Sequence, residues 1–280
     1  MIWDIVMNTF DPYAESKIIN FNKIKKLEVE ISSVCNLKCP LCFRNNGFVK
    51  FDQKFADTKK LLDLISKFSN LEYICFAGQL GEPTLHPDFL EIVKRLSKYK
   101  LEFFINCETR EDNFYRLLGV ISRNNPINVT ICGSTNEIHS HYRKQSNLKT
   151  VLKRYNILRK FNKNVILNWI VFKYNLEDYI NNKTKFQHKR ILTIPFQEFL
   201  NLKISDDFKF PNRLPDIDYT NNGKCDEESA VITVDLECYR CCCQRWNIPC
   251  WQCNPNNVKK FKELEIFNLP EHGVDFPYHP

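Results

Sequence analysis

Between residues 25 and 200 the rhythm of apolar and polar positions changes repeatedly. Short runs rich in β-branched and aromatic residues occur at KLEVEIS (26–32), LEYICFAG (71–78), LEFFINC (101–107), INVTICG (127–133), VILNWIVF (165–172) and RILTIPF (190–196). Between them the spacing widens to three or four, the period of a helix. FADTKKLLDLISKF places Ala56, Leu61, Leu62, Leu64, Ile65 and Phe68 mostly on one side. HPDFLEIVKRLSKY does the same with Phe89, Leu90, Ile92, Val93 and Leu96, and Pro87 and Asp88 suit a helix start. Further helices fit EDNFYRLLGVISRN, NLKTVLKRYNILRKF and NLEDYINNKTK.

Strands alternating with helices predict parallel β-α units with right-handed crossovers. Six units fall short of the eight that close a full barrel. The expected fold class is therefore α/β, a partial (β/α)6 TIM-like barrel over residues 25–200. In such folds ligands gather at the C-terminal ends of the strands. After residue 200 the rhythm stops. SDDFKFPNRLPDIDYTNNGK is polar and proline-bearing, and SAVITVDLECYR reads as a strand or hairpin. The expected organisation is an N-terminal segment (1–24), the barrel (25–200) and a small cysteine-rich extension (201–280). So little periodicity in the extension predicts a metal holding it together.

Composition narrows the class. Apolar residues make up 43% of the 280-residue chain and charged residues 26%, as in ordinary folded domains. The formal charge of +7 is modest and the lysines are scattered, which describes a solvated surface rather than a nucleic-acid groove. No apolar stretch reaches the roughly 18 residues of a membrane span. The N-terminus, MIWDIVMNTFDPYAES, lacks the layout of a secretory signal. The expected location is cytoplasmic, where the 13 cysteines stay reduced.

The cysteines fall into two groups and three singletons. Cys75, Cys107 and Cys132 lie alone in apolar runs and read as small core residues, like the nearby Trp169. Cys35, Cys39 and Cys42 crowd the loop after the first strand. Zinc wants four ligands, and a disulfide frame wants an even number. Three thiolates suggest a metal group with one position left open. In an iron–sulfur cube, cysteine usually ligates each of four irons, so three cysteines leave one iron free for an exogenous ligand. The zinc alternative would borrow a fourth ligand such as His86.

Cys35-x3-Cys39-x2-Cys42 after a first strand resembles the signature of the radical S-adenosylmethionine (SAM) enzymes. FAGQLGEPTLHPDF, after the second strand, is similar to that family's Gly-Glu-Pro motif, with Gly81 and Glu82 in place. FFIN resembles the Thr-Asn-Gly end of the third strand, with Asn106 at the Asn position. The likeness covers about residues 25–200. It implies a [4Fe-4S] cluster on Cys35, Cys39 and Cys42, whose free iron is chelated by the amino and carboxylate groups of SAM. It implies that reductive cleavage of SAM yields a 5′-deoxyadenosyl radical that abstracts hydrogen from substrate. By the same resemblance Glu82 holds the amino group, and Ser134, Arg143 and Asn168 line the cofactor. Arg143 suits the SAM carboxylate; Ser134 is alternatively a helix N-cap before TNEIHS. Family members usually carry an aromatic before the third cysteine. Here that residue is Leu41, and Phe43 follows the cysteine instead.

The second group is CDEESAVITVDLECYRCCCQRWNIPCWQC. Cys238-x2-Cys241 with Cys250-x2-Cys253 makes a good zinc pattern. Cys225, Cys241, Cys250 and Cys253 instead resemble the twitch or SPASM extensions of radical SAM enzymes, which bind an auxiliary [4Fe-4S] cluster. In that pattern Leu236 stands where the family has glycine. The resemblance implies a reductant such as flavodoxin or ferredoxin. It implies a peptide, protein side chain or small metabolite as substrate. About 24 residues precede the first strand, too few for the peptide-docking module of many peptide-modifying members. The competing class is a non-enzymatic zinc protein that binds nucleic acid or protein.

Overall fold

The computed structural model describes residues 20–42, 44–45, 51–77, 80–182, 184–185, 205–209 and 228–239. Five of the strand-like runs form strands: β1 Lys26–Val29, β2 Tyr73–Phe76, β3 Lys100–Ile105, β4 Ile127–Ile131 and β5 Val165–Trp169. Each pairs in parallel with the next. The sixth run, 190–196, lies outside the described residues. The SAVITVDLECYR segment forms the expected hairpin, β6 Ser229–Ile232 with β7 Cys238–Tyr239. Its docking place was not legible in sequence: β6 runs parallel to β1 along the edge away from β2. The sheet order is β5-β4-β3-β2-β1-β6-β7.

The helices are α1 Thr58–Ile65, α2 Phe89–Arg95, α3 Asp112–Ile121, α4 Asn136–Tyr142, α5 Leu148–Phe161 and α6 Leu176–Asn182. Their starts follow from local chemistry. The Asp57 carboxylate accepts the Lys60 N–H at α1, and the Asn147 side chain accepts the Thr150 N–H at α5. At α4 the cap is Thr135, which accepts the Ile138 N–H; Ser134 is not the cap. Arg159 and Lys160 end α5, where cations offset the C-terminal dipole.

β1, β2, β3 and β5 alternate between buried and less buried positions, and the alternation separates two faces. Leu27, Val29, Ile74, Phe76, Phe103 and Ile105 are buried in one core with Leu61 and Ile65 of α1, Ile92 of α2, Leu118 of α3 and Val151 of α5. Phe76 stacks on Phe103 with ring centroids 5.4 Å apart, and Phe89 meets both edge-on. Each such side chain contributes about 1.5–3 kcal/mol by leaving water. Trp169 lies in this core, as do Cys107 and, in a smaller cluster, Cys132.

The other face carries Glu28, Tyr73, Cys75, Glu102, Asn128, Thr130 and Asn168. A hydrogen-bonded chain runs across it. Tyr73 Oη donates to Glu102 Oε2, Asn128 Nδ2 donates to Glu102 Oε1, and Asn168 Nδ2 donates to Asn128 Oδ1. Cys75 departs from the reading as a core residue. It sits on this polar face, where burial and then the Glu28 and Glu102 carboxylates hold its thiol protonated, well above the usual range. A parallel sheet covered by helices on both faces would show near-continuous apolar strands. The polar set marks the inner face of a partial barrel.

Candidate functional site

The cysteine loop leaves β1 and is pinned at its base. Ser33 N–H donates to the Lys54 carbonyl, and Ser33 Oγ accepts the Lys54 N–H. The Ala56 N–H donates to the Ile31 carbonyl. A second loop, after β2, lies directly against it. The Glu82 N–H donates to the Val34 carbonyl at 2.8 Å. Gly81 is required by this approach: a Cβ there would lie 1.9 Å from the Ser32 carbonyl oxygen. Sequence thus puts glycine where two backbones touch, one residue before the carboxylate that the touching loop presents.

One cavity joins the two loops to the strand ends. Cys35, Cys39, Cys42, Glu82, Asn106 and Arg143 all line it, with Gly81 and Arg44 at its wall. Glu82 is 4% exposed. Its Oε1 accepts the Thr84 N–H and hydroxyl, and its Oε2 accepts the Asn106 N–H at 2.8 Å. Burial pushes its carboxyl up to about 7, against the pull of these donors and of Arg143. Asn106 also donates its Nδ2 to Asn36 in the cysteine loop. The next residue, Cys107, takes the glycine place of Thr-Asn-Gly and keeps a left-handed backbone, φ 62°. Arg154 holds that turn through the Cys107 carbonyl.

Arg143 ends α4 and is 8% exposed. Its Nε is buried with no hydrogen-bond partner. Its position is set upstream. A Cβ on Gly133 would come within 2.6 Å of the His139 nitrogen, so β4 can run close beneath α4. His139 is buried and neutral, pushed down to about 3 by burial and then by Arg143. It accepts the Cys132 N–H and meets Ser146 Oγ at 2.6 Å.

The thiols are electrostatically distinct from free cysteine. Burial, then the Glu82 carboxylate, pushes Cys35 up to about 11. Burial raises Cys39 and Cys42 as well, while Arg143 pulls both down and Arg44 acts on Cys35 and Cys42. Binding metal therefore displaces protons, and the two arginines lower that cost. Cys39 and Leu41 pack against a cluster of Cys132, Tyr142, Phe172 and Phe208. Phe43 lies outside the described residues.

The donor set fits an iron–sulfur group better than a single ion. Among the described residues no three His, Cys, Asp or Glu side chains converge on one ion. His86 is no fourth ligand: its Nε2 meets the Ala56 carbonyl at 2.9 Å and its Nδ1 accepts the Asp88 N–H. Three non-converging thiols beside a buried, unpartnered guanidinium nitrogen suit a multi-iron group with an anionic ligand at its side.

The other site expectations sit differently. Ser134 gives both its N–H and its hydroxyl to Asp178. Asn168 is engaged by Asn128 on the inner face. Neither lines the cavity, whose β4 and β5 contributions are Thr130 and Ile170. Cys225, Cys241, Cys250 and Cys253 lie outside the described residues. Sequence reasoning missed Thr84, Asn36, Arg44 and Arg110. Arg110 donates to the carbonyls of Thr84, Leu85 and His86 and so braces the Glu82 loop. Backbone carbonyls are its partners, and they leave no sequence signal.

Fold and cavity together define a barrel-type α/β protein with a cysteine site at the strand ends. The family model "Radical SAM superfamily" matches residues 29–182, and the chain belongs to that superfamily of enzymes. It is 28% identical over 223 residues to the cysteine-type anaerobic sulfatase-maturating enzyme of Clostridium novyi, covering 74% of this chain and 55% of that protein. It is 40% identical over 76 residues to the tungsten-containing aldehyde ferredoxin oxidoreductase cofactor-modifying protein of Pyrococcus furiosus, covering 27% of this chain and 21% of that one. The chain thus spans about half or less of these relatives. Streptococcus suis SuiB bound to S-adenosylmethionine shares the fold, with a TM-score of 0.59, 12% identity and coverage of 78% of this chain and 60% of SuiB. So does anSMEcpe with bound AdoMet, at 0.56, 19%, 77% and 74%.

Proposed function

We propose that the protein binds a [4Fe-4S] cluster through Cys35, Cys39 and Cys42 and cleaves SAM reductively beside it. When bound, the cluster supplies the electron, and cleavage supplies a 5′-deoxyadenosyl radical that takes hydrogen from a substrate. The observation that carries this is the shared cavity of three cysteines, Glu82 and Arg143. Glu82 binds the SAM ammonium as a carboxylate held by three neutral donors. Arg143 binds the SAM carboxylate with a guanidinium that no side chain of the described residues claims. Gly81 and Asn106 shape the wall between them, and Phe43, next to Cys42 in sequence, is the aromatic residue for adenine. Ser134 and Asn168 act from outside the cavity wall, through Asp178 and Asn128. The site has to exclude water and competing reactions, and the barrel's inner face provides that enclosure.

The reading extends to an auxiliary [4Fe-4S] cluster on Cys225, Cys241, Cys250 and Cys253. Two features support it. Leu236, at the family's glycine place, has a left-handed backbone with φ 65°, the conformation that a glycine there would serve. Cys238 packs partly against the main core, near Lys67, which favours the tetrad that leaves it out over the zinc pattern that needs it. A full set of four cysteines suits taking up or relaying an electron rather than binding substrate. The substrate is a peptide or protein side chain, or a small metabolite. SuiB has been solved with a precursor peptide, and a GTP 3′,8-cyclase is among the relatives, so both classes have precedent. The protein works in the cytoplasm with flavodoxin or ferredoxin as reductant. Among the described residues no helix is long and apolar enough to cross a membrane.

Anaerobic reconstitution tests the reading. A brown protein with about eight irons that forms 5′-deoxyadenosine from SAM under a strong reductant is the expected result. A colourless protein holding zinc would return the chain to the competing class of binding proteins. Brown protein that never cleaves SAM would leave electron transfer as its activity.

A further inference from the structure

Arg44 stands two residues after Cys42 and lines the cavity. Its Nη1 donates to two backbone carbonyls, those of Ser33 and Leu80. Ser33 lies two residues before Cys35, and Leu80 immediately precedes Gly81 and Glu82. One side chain therefore ties the beginning of the cysteine loop, its end and the Glu82 loop. The guanidinium lies 5.1 Å from the Phe51 ring centroid, a face-on contact that fixes its plane. Its Nε is buried without a hydrogen-bond partner.

These features call for arginine specifically. Both hydrogen bonds leave Nη1; the lysine ammonium ends one bond short of that atom and has no planar face to lay over the Phe51 ring. The charge also has a consequence. A loop that supplies three thiolates to an iron–sulfur group builds an anionic centre, and reduction adds another negative charge. A nearby permanent cation favours the reduced state, since net charge sets such potentials. Arg44 is spent on neutral carbonyls, so no carboxylate of the described residues cancels it.

We propose that Arg44 is a positioning residue that fixes the Glu82 loop against the cysteine loop, and that its charge raises the reduction potential of the cluster held there. The proposal rests on the function inferred above. It separates geometry from charge: Arg44→Lys keeps the charge and loses the shared clamp, whereas Arg44→Gln loses both. The control is Arg95→Gln, which removes an exposed charge on α2 paired with Glu91.

The test reads iron content, the potential of the SAM-responsive signal by redox titration followed by electron paramagnetic resonance, and the SAM dissociation constant. Expected for R44Q is a more negative potential and SAM binding weakened about tenfold or more, the usual scale for losing hydrogen bonds to a charged group. Expected for R44K is a potential matching R95Q with SAM binding weakened like R44Q. An R44Q potential equal to that of R95Q overturns the electrostatic half. SAM affinity in R44K equal to that of R95Q overturns the clamp, and this holds even if R44Q fails to load iron. Wild-type protein that takes up no iron at Cys35, Cys39 and Cys42 overturns the underlying function and the proposal with it. Normal wild-type loading beside unchanged Arg44 variants overturns the proposal alone.

Discussion

The two faces of the sheet are built from the same strands and do opposite work. On the helix side Phe76, Phe103 and Ile105 are buried among apolar neighbours and have no polar chemistry. On the inner side Glu28, Tyr73, Glu102, Asn128 and Asn168 stand between them, residue for residue. The first face holds the chain together and tolerates any residue of the right shape and polarity. The second contributes less to stability and is shaped for what occupies the barrel. The difference teaches where to look for function: on strand positions that a stability argument alone would have filled with valine.

The largest effect should come from the helix side. Phe103→Ala removes a ring stacked on Phe76 and leaves a cavity, at a loss of about 4 kcal/mol in the iron-free protein. Urea denaturation would measure it. A loss under about 1 kcal/mol would mean that this face is not the core.

The contrast was partly legible in sequence. The β-α rhythm announced the parallel strands and the helical spacing placed α1, α2, α3, α5 and α6, whereas the polar inner face emerges only from the folded sheet. The cysteine spacing, Glu82, Asn106 and Arg143 were legible because each is tied to a local motif. Ser134 and Asn168 do not line the cavity: Asn168 is on the same face but two residues short of Ile170, which does line it, and a reading of strand ends does not resolve that depth. Ser134 is claimed by Asp178, 44 residues away, and nothing local announces such a partner. The docking of β6 on β1 was equally silent, since sequence fixes a strand's period and not its neighbour. Cys107 and Leu236 were hard for the opposite reason. Their left-handed backbones are usually signalled by glycine, and here the signal is absent while the conformation remains.

The next effect belongs to the site between the faces. The Glu82 carboxyl is raised from 4.5 to about 7, chiefly by burial. The folded protein therefore keeps this proton over a range where the unfolded chain has lost it. The resulting stability is fully present below about pH 4.5 and is lost as pH rises through about 7. Over that window the iron-free protein should lose about 3 kcal/mol from this group, at about 1.4 kcal/mol for each pH unit. Glu82→Gln should remove that part of the slope. Denaturation midpoints of both proteins between pH 5 and 8 would show it; parallel pH profiles would mean that Glu82 is ionised throughout. SAM binding should strengthen over the same rise in pH, because its ammonium selects the carboxylate.

The smallest effect is expected on the inner face, and it is the sharpest test of the contrast. Glu102 accepts from Tyr73 and Asn128 through its two oxygens, and the chain continues to Asn168. Glu102→Gln keeps size and shape and leaves one oxygen to accept. Asn128 retains a second acceptor in the Phe103 carbonyl at 3.3 Å, and the Tyr73 hydroxyl can turn to accept from the new amide. With every polar group still served, the expected loss is under about 1 kcal/mol. Turnover should respond more than stability, since this face lines the barrel interior where a substrate would sit. A drop in stability as large as that of Phe103→Ala would make the polar chain a structural plug. The division between a face that folds and a face that works would then fail for this protein.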